Sequence, residues 1–146
     1  MGTNDLSRGG RIGYGAMFGA IGLLSIALGV HSVLSSANPI GSDLIGVVSF
    51  GLIWVFGGAL IVLPPGNSRL RDCLGTMLVT CFALAFDWVA FAPGERAFTG
   101  GVSHGGVGGA FHPDETTGRV IFGAAAMVLN VISVVLWIRL FKRAAH

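Results

Sequence analysis

The chain has 146 residues, the length of one ordinary domain, yet 53% of them are hydrophobic and only 11% charged, with a mean hydropathy of +0.78. Soluble domains carry roughly 25% charged residues, so the composition excludes an ordinary water-soluble enzyme or binding module and points to a membrane protein. The net charge of +2 gives no support to nucleic-acid binding.

The first predicted element is the apolar run Gly13–Leu34, close to the roughly 20 residues with which a helix crosses about 30 Å of hydrocarbon. Arg8 and Arg11 precede it, and "SSA" at Ser35–Ala37 has some likeness to a cleavage site. The run exceeds the roughly 7–15 residues of a signal-peptide core and is read as a retained span. "MGTNDL" has Leu6 where a myristoylation signal has Ser or Thr. Within the run, Gly15, Gly19, Gly22 and Gly29 fall on one helical face, and Gly15 with Gly19 makes a small-xxx-small pattern. Small residues let backbones approach, so these four are a candidate packing face, foremost an internal seam and otherwise a seam to another subunit.

"NPIGSD" leads into the second run, Leu44–Leu63, with Ser42 or Asp43 available as its N-cap. In "LPPGNSRLRD", Pro64, Pro65 and Gly66 cannot continue a helix and force a tight reversal. The third run, Cys73–Ala92, carries a stripe of Thr76, Thr80, Ala83 and Asp87. Cys73 and Cys81 lie roughly 12 Å apart along such a helix, too far for a disulfide, and look like small buried residues. Asp87 is the only charged residue inside any of the apolar runs, and an intramembrane ionisable group is a functional-site hypothesis by default. It lies near the outer end of its helix, where Arg119 begins the last run, Arg96 sits in the loop and His31 ends the first run. His31, Asp87, Arg96 and Arg119 are therefore predicted to form a polar cluster, foremost a salt bridge from Asp87 to Arg119 or Arg96 that fastens the loop. A proton-coupled or substrate-binding carboxylate and a contact with a partner helix are the alternatives.

The fourth run, Val120–Ile138, has a matching stripe in Gly123, Ala126, Asn130, Ser133 and Trp137. Depth counted from the ends of the runs sets Thr80 level with Asn130. Thr76, Thr80, Asn130 and Ser133 are thus candidate interhelical polar contacts, structural in the first instance. Seven of the nine Lys and Arg residues flank the runs on one side: Arg8, Arg11, Arg69, Arg71, Arg139, Lys142 and Arg143. Basic residues are held in the cytoplasm, and Tyr14, Trp88 and Trp137 near the helix ends fit interfacial aromatic belts. The expected fold is an all-α membrane protein forming one domain, a four-transmembrane-helix up-down-up-down bundle with both termini cytoplasmic.

The extracytoplasmic loop, residues 93–119, is longer than bundle connections usually are. "GGVSHGGVGG" has glycines but no "GK[ST]" and no strand-to-helix setting, so it is not a phosphate loop, and "GGVGGA" is not GxGxxG. His104 and His112, with Asp114 and Glu115 nearby, lack a third fixed ligand for a metal. Ser103 beside His104 lacks the geometry and the carboxylate of a triad. Aromatic residues Phe98 and Phe111, with Pro93 and Pro113 near the loop's ends, favour a folded docking surface.

"FAPGERAFTG" at Phe91–Gly100 and "GRVIFG" at Gly118–Gly123 resemble a group of small bacterial four-helix inner-membrane proteins with a "GPGER-F-G" loop and a "GR-x-x-F-G" start to the last helix. The chain departs from that pattern at Ala92, where Gly is expected. The resemblance spans about a third of the chain and implies topology but no activity. The reading that follows is a non-catalytic accessory or interaction subunit of a larger assembly in a bacterial inner membrane. Its expected partners are the lipid bilayer and other membrane subunits or copies of itself, and no cofactor or metal is expected. Eight Arg against one Lys fit a GC-rich genome. The rival readings are a small oligomeric transporter or channel using Asp87, and a membrane immunity protein.

Overall fold

The computed structural model describes residues 8–36, 41–64, 66–94, 100–104, 107–111 and 114–144. In chain order these form α1 (Arg8–Leu34), α2 (Gly41–Val62), α3 (Ser68–Phe91), β1 (Gly100–His104), β2 (Val107–Phe111) and α4 (Glu115–Ala144). Each helix is long and apolar enough to cross a membrane. Their 22 to 30 residues reach roughly 33–45 Å, against about 30 Å of hydrocarbon.

The helices overrun the apolar runs that announce them. Those runs, predicted at 13–34, 44–63, 73–92 and 120–138, mark only the stretch with no need of water, whereas backbone hydrogen bonding continues into polar flanks. The difference is largest for α4, which starts at Glu115 and ends at Ala144. Asp114 supports its start, accepting from the Thr117 N–H through Oδ2 at 3.3 Å and from the Thr117 hydroxyl through Oδ1 at 2.6 Å. Lys142 and Arg143 stand in its last turn, where the helix dipole favours cations.

Among the described residues, each helix packs on its neighbours in sequence, and no close contact joins α1 to α4. Successive helices run antiparallel. Gly15 lies against Gly58 and Gly29 against Val47; Trp88 lies over Gly46; Ala90 lies near Gly123. The bundle is open, with an apolar cleft of about 500 Å³ between its two halves, lined by Phe18, Trp54, Phe82, Phe86 and Phe122 among others.

Small side chains fill the interior and large ones face out. The buried apolar residues are Cys81, Ala83, Ala90, Ala92 and Ala126, while Leu23, Leu28, Val128 and Val131 are each at least 60% exposed. A water-soluble protein does the reverse, burying Leu, Ile and Val. In hydrocarbon there is no hydrophobic drive between helices, so small residues take the interfaces and large ones meet lipid. The glycine-rich loop contains a feature absent from the sequence reading: β1 and β2 pair antiparallel, from Gly100 opposite Phe111 to His104 opposite Val107.

Candidate functional site

The seam between α1 and α2 brings glycine backbone against the backbone and valine and isoleucine side chains of the facing helix. A Cβ at Gly22 would lie 2.6 Å from the Gly51 carbonyl oxygen and 2.9 Å from the Val55 nitrogen, and one at Gly58 would lie 2.6 Å from the Gly15 oxygen. Gly15, Gly22 and Gly29 therefore turn the predicted face toward α2 within the same chain. Gly19 differs: a Cβ there meets nothing within 4 Å, although its nitrogen is close to Gly58. Phe18 stacks on Trp54 at 5.4 Å beside this seam.

The seam between α3 and α4 is a polar ladder. The Thr80 hydroxyl meets the Ser133 hydroxyl at 2.8 Å, and the Trp137 indole N–H donates to Thr80 Oγ1 at 3.1 Å. One rung further, the Asn130 side-chain amide donates to both Asp87 carboxylate oxygens, at 3.1 and 3.0 Å. Thr76 turns inward onto its own helix, donating to the Asp72 carbonyl at 2.8 Å. At the far end Arg143 pairs with Asp72. The expected level pairing of Thr80 with Asn130 is not made, because α4 is set about one turn along from the position counted from the apolar runs. The offset places Ser133 opposite Thr80 and Arg143 beside Asp72.

Of the predicted cluster of His31, Asp87, Arg96 and Arg119, neither described cation meets Asp87. Arg119 makes no salt bridge with Asp87. It donates to the carbonyl oxygens of Ala90, Ala92 and Gly94 at 3.1, 3.0 and 2.6 Å, and its Nε donates to Glu115 at 2.8 Å. The last carbonyls of a helix have no intrahelical donor, so a fork of five N–H groups at the end of α3 is a stronger attraction than one carboxylate a turn deeper. The chain reaches this clasp through Ala92, extended at φ −65° and ψ 143°, and Gly94, whose φ of 108° is the left-handed conformation that glycine tolerates. Ala92 thus needs no glycine in its place. His31 is exposed in the last turn of α1, away from α3 and α4. Arg96 lies outside the described residues.

Between α2 and α3, the Trp88 indole lies over Gly46, and its N–H donates to Asp43 Oδ1 at 3.1 Å. Asp43 sits in the first turn of α2, where a carboxylate complements the dipole. At the opposite end Arg11 donates to the carbonyls of Ile61 and Leu63 at 3.1 and 2.7 Å, and Arg71 donates to Leu63 at 3.0 Å. The seven flanking cations therefore gather at one end of the helices, which we term the basic end, with the β-hairpin at the other.

Of the loop residues, His104 is in β1, His112 and Pro113 are outside the described residues, and Asp114 and Glu115 serve the start of α4. The Asp114 carboxyl is held below its ordinary range, first by the Thr117 hydroxyl and then by the Thr117 N–H. Cys73 and Cys81 are free thiols, half-buried and buried. The hairpin was legible in principle: Gly105–Gly106 separates two five-residue strands, the spacing of a two-residue hairpin. Its many glycines hide the alternation that would have announced it.

Four spans with an inverted distribution of side chains define the class, a multi-pass helical membrane protein. No family model, curated protein or solved structure matches the chain.

Proposed function

We propose that the protein is a non-catalytic accessory or interaction subunit of a larger assembly in a bacterial inner membrane, with both termini and the basic end in the cytoplasm. One observation carries this reading. Asp87 lies within the span, roughly 6 Å from the end of α3, and its described partner is an amide and not a cation. Asn130 is exposed and Asp87 only half-buried, so the pair opens sideways at membrane depth. A carboxylate in that setting is costly unless a further donor satisfies it, and a polar group on a neighbouring subunit's helix is such a donor. The open bundle, with α1 and α4 apart, leaves helix faces available for it.

The rival reading, an oligomeric transporter or channel, rests on the same carboxylate. Gentle-detergent purification with mass analysis of wild type and Asp87→Ala separates the two. The subunit reading expects a second chain in fixed ratio with wild type, lost from Asp87→Ala while helix content is unchanged. A homogeneous homo-oligomer whose reconstituted proton-linked flux vanishes in Asp87→Asn, with stability intact, would overturn it in favour of transport.

A further inference from the structure

At the basic end, a cleft of about 370 Å³ lies between α3 and α4. Arg71, Arg139, Leu140 and Arg143 line it toward its mouth, and Val79 and Leu136 line it further along the two helices. Val79 and Leu136 are each seven residues, about two turns, deeper than Asp72 and Arg143. Three guanidinium groups stand here against one carboxylate, Asp72. Arg71 commits one nitrogen to the Leu63 carbonyl and keeps its charge. Arg139 is exposed. Arg143 pairs with Asp72, but its side chain is 71% exposed, and so open an ion pair is weak enough to share its cation with another anion.

We propose that this cleft binds the phosphate of an anionic phospholipid, with Arg139 and Arg143 on the phosphate oxygens and an acyl chain along Val79 and Leu136. The planar, multi-donor guanidinium matches phosphate oxygens in a way that a lone ammonium does not. Orientation of the helices in a membrane needs only that cations be present on one side; it needs neither a cleft between them nor an apolar wall beneath. Charge above and hydrocarbon below is the order in which a lipid presents its own headgroup and chain. Basic pockets between transmembrane helices are suited to anionic headgroups. A zwitterionic lipid brings its own cation, which the three arginines repel.

The test uses the full chain in detergent, with thermal unfolding and native mass spectrometry as readouts. Phosphatidylglycerol should raise the melting temperature and remain bound in the mass spectrum. Phosphatidylcholine and inorganic phosphate at the same concentration should do neither; equal stabilisation by inorganic phosphate would overturn the lipid as the source. Arg139→Gln should weaken phosphatidylglycerol binding about fivefold, the effect of one cation near an anionic headgroup. Lys142→Gln removes the same charge from a residue outside the cleft and should leave binding unchanged; equal weakening by both would reduce the effect to diffuse surface charge and overturn the site. Leu136→Trp narrows the apolar part without altering charge. It should lower lipid retention while helix content is maintained, and unchanged retention would also overturn the proposal.

Discussion

The two helix pairs are joined by opposite means. Between α1 and α2 the contact is close approach at glycines, with a hypothetical Cβ at Gly22 only 2.6 Å from a carbonyl oxygen. Between α3 and α4 it is side chain to side chain: Thr80 with Ser133 and Trp137, Asp87 with Asn130, and Arg119 on the end of α3. A glycine seam works by proximity and fails by steric exclusion, whereas a polar ladder works by satisfying groups that lipid leaves unsatisfied and fails one rung at a time. The first should be intolerant of added volume, and the second of removed donors.

The largest effect should come from adding volume where the seam is closed. Gly22→Val places methyl groups against the Gly51 and Val55 backbone, which cannot rotate away, and should cost about 3 kcal/mol in detergent unfolding. Gly19→Ala, on the same helix face but open beyond its Cβ, should stay within about 0.5 kcal/mol of wild type. Equal losses would mean that the seam is not set by these close approaches.

A smaller loss is expected from the ladder. Thr80→Val keeps the shape and removes the hydroxyl shared by Ser133 and Trp137. With interhelical bonds averaging about 0.6 kcal/mol and reaching about 1.7, the expected cost is about 1–2 kcal/mol. No change would show that Trp137 and Ser133 find other partners and that the ladder is incidental.

The smallest effect is at the start of α4, where Asp114 is fully exposed to water. Its carboxyl is depressed by the Thr117 hydroxyl and N–H, so the ionised form is the one favoured by the fold. Its contribution is complete above the ordinary Asp range near pH 4 and is lost as pH falls through the lower folded value. An NMR titration of the Thr117 amide should show a midpoint below the ordinary Asp value that is absent from Asp114→Ala. A midpoint at or above that value would remove the cap from the account of why α4 begins where it does.

The four spans were legible because hydrocarbon imposes one length and one composition on anything that crosses it. The α1 face was legible because glycine at spacings of four, three and seven has few other uses in a helix. What the sequence concealed was register and choice of partner. Asn130 and Thr80 were both visible as polar groups needing company, yet which meets which depends on a shift of about one turn that the ends of the apolar runs do not mark. Arg119 was visible as a cation near Asp87, but the competing acceptors, the carbonyls of Ala90, Ala92 and Gly94, carry no mark in the sequence at all. The β-hairpin was obscured by composition, since six of its ten described residues between Gly100 and Phe111 are Gly, Ala or Ser.

The carbonyl of Leu63 receives a donor from each side of α2 in the chain: Arg11, 52 residues earlier, and Arg71, eight residues later. During synthesis these two donors arrive at different times. Arg11 is in place when α2 leaves the ribosome, but the second donor follows only as the next helix emerges. The end of α2 is therefore completed by a residue that leaves the ribosome after α2 itself. Arg71 thus ties α3 to the end of α2, and α4, the last helix to emerge, carries its own clasp for α3 in Arg119.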